Sequence, residues 1–195
     1  RKKYRGFFYN EGRQDLRGPN PYYPVVADGM VFINNGKDVL AYDLLSGKQK
    51  WRFSGLINQL KSAEHSQVIN RISYHQGAIY ANVEGETPTQ SRDTWSYYQI
   101  RKIIPERRLI KLDAASGRVL WQVRNLEGDE EAFANKASVM GPPLFCAGKL
   151  YAGVTELTGL FNSYIVAIDP QTGKILWRTL IGSAQQELNM FGRPV

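Results

Sequence analysis

The sequence predicts an all-β protein made of repeated four-stranded antiparallel units. Two patterns of different length recur along the 195-residue chain, and each occurs three times in the same alternating order. Successive copies of the longer pattern lie 70 and 56 residues apart. Self-similarity at such a spacing is typical of repeat architectures, in which each unit packs against its neighbours.

The longer pattern reads Asp-x-x-[Ser/Thr]-Gly-[Lys/Arg]-x-x-Trp and follows an apolar run that predicts a strand. The aspartate can accept hydrogen bonds from the turn that follows it, and the glycine supplies the positive φ that closes a hairpin. A tryptophan at one fixed place indicates a large surface packed identically between units. The three copies place these residues at Asp43, Gly47 and Trp51, at Asp113, Gly117 and Trp121, and at Asp169, Gly173 and Trp177.

The shorter pattern is a strand, a tight turn at glycine and a second strand, and it begins at Pro24, Ile72 and Pro143. Each unit therefore contains two hairpins, which make four antiparallel strands. Four-stranded units repeating at this spacing are typical of the blades of a β-propeller. The predicted blades cover about residues 24–55, 72–125 and 143–181.

The predicted domain organisation is a basic leader over residues 1–23 and a propeller segment over residues 24–195. Residues 192–195 match the opening of the third blade, so a further blade is expected to start there. Known propellers use about four to eight blades, and three would leave two apolar faces open. We therefore expect other blades or domains of the same protein, or other subunits, to cover them.

The longer pattern resembles the tryptophan-docking motif of pyrroloquinoline-quinone (PQQ) propellers, Ala-x-Asp-x-x-x-Gly-x-x-x-Trp. The first and third copies match every fixed position, including Ala41 and Ala167, whereas the second has Lys111 in place of the alanine. The resemblance implies radial blades with tryptophans stacked between neighbours, within a larger ring of seven or eight blades. It also implies an envelope or periplasmic location.

The resemblance leaves the function open. Some members are quinoprotein dehydrogenases that hold PQQ and calcium on the propeller axis, and another is an outer-membrane assembly lipoprotein whose propeller is a protein-docking platform. The adjacent cysteines frequent in the dehydrogenase branch are missing, because Cys146 is the single cysteine. His65 and His75 lack a partner at metal-ligand spacing. The acidic residues between 127 and 131 lack the spacing of a calcium loop and predict a solvated helix.

The sequence therefore favours a non-enzymatic protein-binding or scaffold module of the cell envelope, with no catalytic, cofactor or metal residues evident. The alternative is a fragment of a PQQ-dependent alcohol-type dehydrogenase, which would require PQQ and calcium. The net charge of +7 lies mostly in the leader and accompanies no nucleic-acid-binding motif, so nucleic acid is not an expected partner. No apolar stretch reaches the roughly 18 residues of a membrane span.

Three further features have two interpretations each. The insertion from Glu84 to Arg108 suits a partner-binding loop, or else an edge that folds back on its own blade. Arg71 and Arg193 each precede the first strand of a unit and form a candidate axial anion site, or else are solvated. Cys146 lies in a predicted strand, where a small buried hydrophobe is expected rather than a reactive thiol. The candidate partner-binding residues are Trp95, Tyr97, Tyr98, Arg101, Arg107 and Arg108.

Overall fold

Three four-stranded antiparallel sheets make up the regular structure of the described residues, which confirms the predicted all-β fold and its blades. The computed structural model describes residues 22–36, 38–54, 71–84, 107–123, 137–157 and 161–184. Within each sheet the strands are adjacent in sequence order, as expected for consecutive hairpins.

The described residues form twelve strands, which divide equally among the three blades. Blade 1 comprises β1 (Val25–Ala27), β2 (Met30–Asn34), β3 (Asp38–Asp43) and β4 (Gln49–Ser54). Blade 2 comprises β5 (Ile72–His75), β6 (Ala78–Glu84), β7 (Arg107–Asp113) and β8 (Val119–Gln122). Blade 3 comprises β9 (Ala137–Cys146), β10 (Lys149–Leu157), β11 (Phe161–Ile168) and β12 (Ile175–Ala184).

Because consecutive strands are antiparallel neighbours, successive connections alternate between the two ends of each blade. One end, here called the turn end, carries only tight turns, such as residues 28–29 and 44–48 of blade 1. The opposite end, the loop end, carries the connection between the second and third strands of each blade and the links between blades. The long connections 55–70, 85–106 and 124–136 therefore all leave from the loop end.

An irregularity in strand pairing recurs at the same place in each blade. Trp51 lies opposite Ala41, but Gln49 lies opposite Tyr42, so Lys50 has no residue across from it. The same shift occurs where β7 pairs with β8 and where β11 pairs with β12. A β-bulge of this kind re-aims the side chain beside it, here a tryptophan in all three blades.

The apolar core lies between the sheets. Phe32 and Val39 of blade 1 pack on a face of blade 2 that includes Ile79 and Ile110. The opposite face of blade 2 packs on blade 3, as the second cluster shows with Tyr80, Leu109, Leu150 and Val166. Blade 2 thus buries one apolar face against each of its two neighbours, because strand side chains alternate between faces.

Cys146 corrects one sequence-based expectation. It ends β9, as the predicted strand requires, but it is exposed rather than buried. By strand alternation it shares a face with Leu144, which is 63% exposed, and that face points away from blade 2. The equivalent residue of blade 1, Ala27, packs against the core shared with blade 2. Burial at this position therefore depends on the following blade.

Replacing Trp121 with alanine should lower the free energy of unfolding by about 3–5 kcal/mol, as for other large buried side chains. Trp121 is 8% exposed, whereas Trp177 is 43% exposed, so Trp177→Ala should cost much less. Urea denaturation of the two variants measures the difference. Equal losses would contradict the assignment of Trp121 to the core between blades.

Candidate functional site

The aspartate of each repeated pattern holds the turn that follows it. In blade 1 the Asp43 carboxylate accepts hydrogen bonds from the backbone N–H and the hydroxyl of Ser46, both at 2.8 Å. The Gly47 N–H donates to the Asp43 carbonyl at 2.9 Å. In blade 2, Asp113 and Ser116 repeat both side-chain contacts.

Blade 3 varies this turn, because Pro170 and Gln171 follow Asp169. The Asp169 carboxylate accepts from the Gln171 N–H at 2.8 Å and from the Thr172 hydroxyl at 3.0 Å. The Gly173 N–H still donates to the Asp169 carbonyl, at 2.8 Å. All three glycines have a positive φ, so the backbone path of the turn is the same.

Hydrogen bonds to the charged form lower the pKa of all three aspartates. The backbone N–H and then the hydroxyl of Ser46, together with Lys50, lower the pKa of Asp43 to about 2. The Lys50 Nζ lies 3.2 Å from Asp43 Oδ2. The Ser116 hydroxyl, followed by its N–H, lowers the pKa of Asp113, and the Gln171 N–H lowers that of Asp169.

Two of the three tryptophans, Trp51 and Trp121, contact the aspartate turn of the next blade. Trp51 Nε1 donates to the carbonyl of Ala114, which directly follows Asp113, at 2.9 Å. The same indole lies over Gly117, where an added Cβ would come 2.6 Å from Trp51 Cε3. The glycine therefore serves the turn by its positive φ and the neighbouring blade by its lack of a side chain.

Blades 2 and 3 are joined in the same way. Trp121 Nε1 donates to the carbonyl of Pro170 at 3.0 Å, and a Cβ on Gly173 would lie 2.9 Å from the Trp121 ring. At the two open faces these contacts have no counterpart in the described part of the chain. Gly47 has no atom within 4 Å of a Cβ position, and Trp177 is 43% exposed.

Lys111, the departure from the family pattern, lies within the contact between blades 2 and 3. Its Nζ donates to the Pro170 carbonyl at 2.8 Å, the same oxygen that accepts from Trp121. The ammonium also lies 5.7 Å from the centre of the Tyr80 ring. Burial lowers the pKa of Lys111, and the nearby charge of Asp169 opposes that shift.

Polar contacts made by the first two strands of blades 1 and 2 also join the blades. The sequence did not predict these contacts. Asn34 Nδ2 donates to the Asn82 carbonyl at 2.7 Å, and Asn82 Nδ2 donates to the Gly141 carbonyl. The Ser73 hydroxyl donates to the Pro143 carbonyl. Asn34 and Asn82 occupy the same position in successive blades, and an asparagine repeated within a strand could have indicated this role.

The predicted partner-binding set falls partly within the described residues. Arg107 and Arg108 begin β7 and are 1% and 4% exposed, so the structure places them in a blade rather than in the connection. The connection itself spans residues 85–106. The other members, Trp95, Tyr97, Tyr98 and Arg101, lie outside the described residues.

The remaining predicted residues are placed as follows. Arg71 is exposed just before β5, with its guanidinium 4.1 Å from the centre of the Tyr23 ring, and Arg193 lies outside the described residues. His75 stacks on Phe145 of blade 3 with ring centres 3.6 Å apart, which is a packing role. His65 and residues 127–131 lie outside the description.

Comparisons with known proteins agree with this geometry. Residues 85–195 match a family model described as "Outer membrane protein assembly factor BamB". The chain belongs to this family. The BamB family match covers blade 3 and the last two strands of blade 2, β7 and β8, including two of the three tryptophan patterns.

Relatives outside the BamB description are longer enzymes. The chain is 26% identical over 158 residues to a quinohemoprotein alcohol dehydrogenase of Comamonas testosteroni, covering 80% of this chain and 19% of the relative. It is 27% identical over 169 residues to a polyvinylalcohol dehydrogenase of Sphingopyxis sp. (strain 113P3), covering 76% and 24%. The chain thus spans a quarter or less of these relatives' length.

A solved structure supports the fold. The crystal structure of quinohemoprotein alcohol dehydrogenase from Comamonas testosteroni aligns with a TM-score of 0.54 at 23% identity, covering 80% of this chain and 20% of that one. Within the described ranges, no helix has the length and apolar character needed to cross a membrane.

Substituting alanine at Gly117 should destabilise the fold more than the same change at Gly47. Both glycines have a positive φ, which costs an L-residue about 1–2 kcal/mol. Only at Gly117 would the new methyl group also collide with a tryptophan, and such overpacking costs about 1–3 kcal/mol more. Thermal and urea unfolding of the two variants test this, and equal losses would show that Trp51 does not rest on Gly117.

The fold should lose stability as the pH falls from about 4 towards 2. The folded pKa of Asp43 lies below its ordinary value of 3.8, so the stability it contributes is complete above that value and is lost as the pH approaches 2. Asp113 and Asp169 act in the same direction. Asp43→Asn should flatten the dependence of the urea midpoint on pH in this window, and an unchanged profile would contradict the role of its carboxylate.

Proposed function

We propose that this chain is a blade segment of a larger propeller that serves as a non-enzymatic protein-binding scaffold in the cell envelope. The observation that carries the proposal is that every long connection leaves the blades from the loop end. Rigid sheets that present long connections on one side suit binding, because variable loops on a fixed scaffold are where recognition usually lies. The description of the family supports the proposed envelope location.

The connection 85–106 is the proposed partner-binding element. Its two ends are held together, because Glu84 of β6 lies opposite Arg107 of β7. The connection contains Trp95, Tyr97, Tyr98 and Arg101, and aromatic residues with arginine are the types enriched where protein interfaces bury most energy. Blade 2 would thus supply a fixed base for a recognition element of about twenty residues.

Further blades of the same protein, or other subunits, are the proposed neighbours of blades 1 and 3. Trp177 offers an indole that no described turn receives, and Gly47 offers an open turn like those that receive Trp51 and Trp121. Both open faces therefore present one half of a contact that the chain forms twice within itself.

A second candidate, a fragment of a PQQ-dependent alcohol dehydrogenase, is favoured by the matched enzymes. Within the described ranges no three His, Cys, Asp or Glu side chains are grouped where they could hold a metal ion. Arg71, with Arg193, remains a proposed axial anion position under either function.

Replacing residues 86–105 with a short turn should leave the fold intact and abolish partner binding. Shortening the closed loop by this much changes the free energy of unfolding by only about 1 kcal/mol. Thermal unfolding and crosslinking in envelope extracts measure the two effects. The matched control keeps the loop length but changes Trp95, Tyr97 and Tyr98 to serine, and it should lose the same crosslinks.

Either of two results would contradict the proposal. An unfolded deletion variant would show that the connection belongs to the core of blade 2. Dye-coupled alcohol oxidation by the full-length protein after addition of PQQ and Ca²⁺ would favour the dehydrogenase instead.

A further inference from the structure

The outer strand of blade 3 continues further at the loop end than the outer strand of blade 2. In blade 2, β8 ends at Gln122, one residue after Trp121. In blade 3, β12 ends at Ala184, seven residues after Trp177. The face of blade 3 that packs on blade 2 therefore extends past the point at which β8 ends.

Three residues of this projecting part, here called the ledge, share the face that points towards blade 2: Glu156, Tyr164 and Leu180. Tyr164 lies opposite both Val154 and Leu180, and residues opposite each other in a sheet point to the same side. Val154 belongs to the apolar core shared with blade 2, and Tyr164 packs against that core. Glu156 accepts a hydrogen bond from the Tyr164 hydroxyl at 3.2 Å. The ledge is thus the continuation of a core face.

The ledge is less covered than the core that it continues. Leu180 is 53% exposed, whereas Val154 is 5% exposed. Arg178 lies opposite Val166 on the same face, and its guanidinium is 6.0 Å from the centre of the Tyr164 ring. The ledge therefore presents an apolar strip beside a cation, on a face that is otherwise buried between blades.

The connection 124–136 is the segment of the chain best placed to cover the ledge. It begins directly after Val123 and ends directly before Ala137, and both residues line the small cavity between blades 2 and 3. Val154 lines the same cavity, so both ends of the connection lie at the foot of the ledge. Its 13 residues could span about 45 Å when extended, far more than the width of one small cavity.

The composition of the connection complements the ledge. Leu126 and Phe133 are its large apolar residues, and they suit the exposed surface of Leu180. It carries four acidic residues, all between 127 and 131, against two basic ones, which suits the neighbourhood of Arg178. The connection 85–106 carries three acidic and three basic residues and has no such excess.

We propose that the connection 124–136 docks on the ledge, with its apolar residues against Leu180 and Tyr164 and its acidic run beside Arg178. Docking places this connection next to the end of the connection 85–106, because Arg107, which follows that end, lines the same cavity. The loop end between blades 2 and 3 then carries two adjacent segments of opposite fixed ends. The docking does not rest on the proposed scaffold function, because the ledge and its occupant belong to one chain.

Limited proteolysis under native conditions tests the docking, with a protease that cleaves after glutamate. Cleavage after Glu127, Glu130 and Glu131 should be slow in the unmodified chain, because a docked segment must open before it is cut. Leu180→Ser, and separately Phe133→Ser, should accelerate it about tenfold. The matched control is Leu144→Ser, since Leu144 is 63% exposed on the opposite face of blade 3, and it should leave the rate unchanged.

Mass spectrometry of the fragments identifies the cleaved bonds, and thermal unfolding confirms that each variant keeps its fold. The docking is wrong if the unmodified chain is cut within 124–136 as fast as a synthetic peptide of that sequence, or if Leu180→Ser leaves the rate unchanged. Faster cleavage after Glu86 and Glu106 alone in Leu180→Ser would assign the ledge to the connection 85–106 instead. Protection that disappears on dilution would assign the ledge to a second copy of the chain.

Discussion

The contact of each tryptophan with the aspartate turn of the next blade is the interaction on which the rest of the structure depends. A four-stranded sheet that is apolar on both faces must find a neighbour on each side. The indole ring supplies a large apolar surface, and its N–H needs a partner once buried. The carbonyls of Ala114 and Pro170 are such partners. One side chain therefore fills the space between two blades and also determines how the blades align.

Several separate constraints therefore meet in one short pattern. The aspartate holds the turn, so the carbonyl that follows it is presented to the preceding blade. The glycine closes the turn and leaves room for the indole. The bulge before the tryptophan directs its ring towards the next blade. A change at any of these positions alters the neighbouring blade as well as its own.

This use of the turn end has a consequence for function. The aspartate turns receive the tryptophans of the preceding blades, so these turns cannot lengthen without disturbing that contact. The connections 55–70, 85–106 and 124–136 leave from the loop end, where the inter-blade hydrogen bonds of Asn34 and Asn82 are made by residues within the strands. Under the proposed scaffold function, recognition would use the connections of the loop end, while the tryptophan contacts between blades lie at the turn end.

The sequence alone determined the strands, the turns and the three tryptophan patterns, because alternation, turn chemistry and repetition are local properties. It could not determine the exposure of Cys146, the burial of Arg107 and Arg108, or the inter-blade hydrogen bonds of Asn34 and Asn82. It marked Lys111 only as a departure from a pattern, and the structure decided that its amine shares a carbonyl with Trp121. Those outcomes depend on which face of a neighbouring sheet comes to lie opposite each residue, and residues as far apart as Trp51 and Ala114 meet only after the blades have packed.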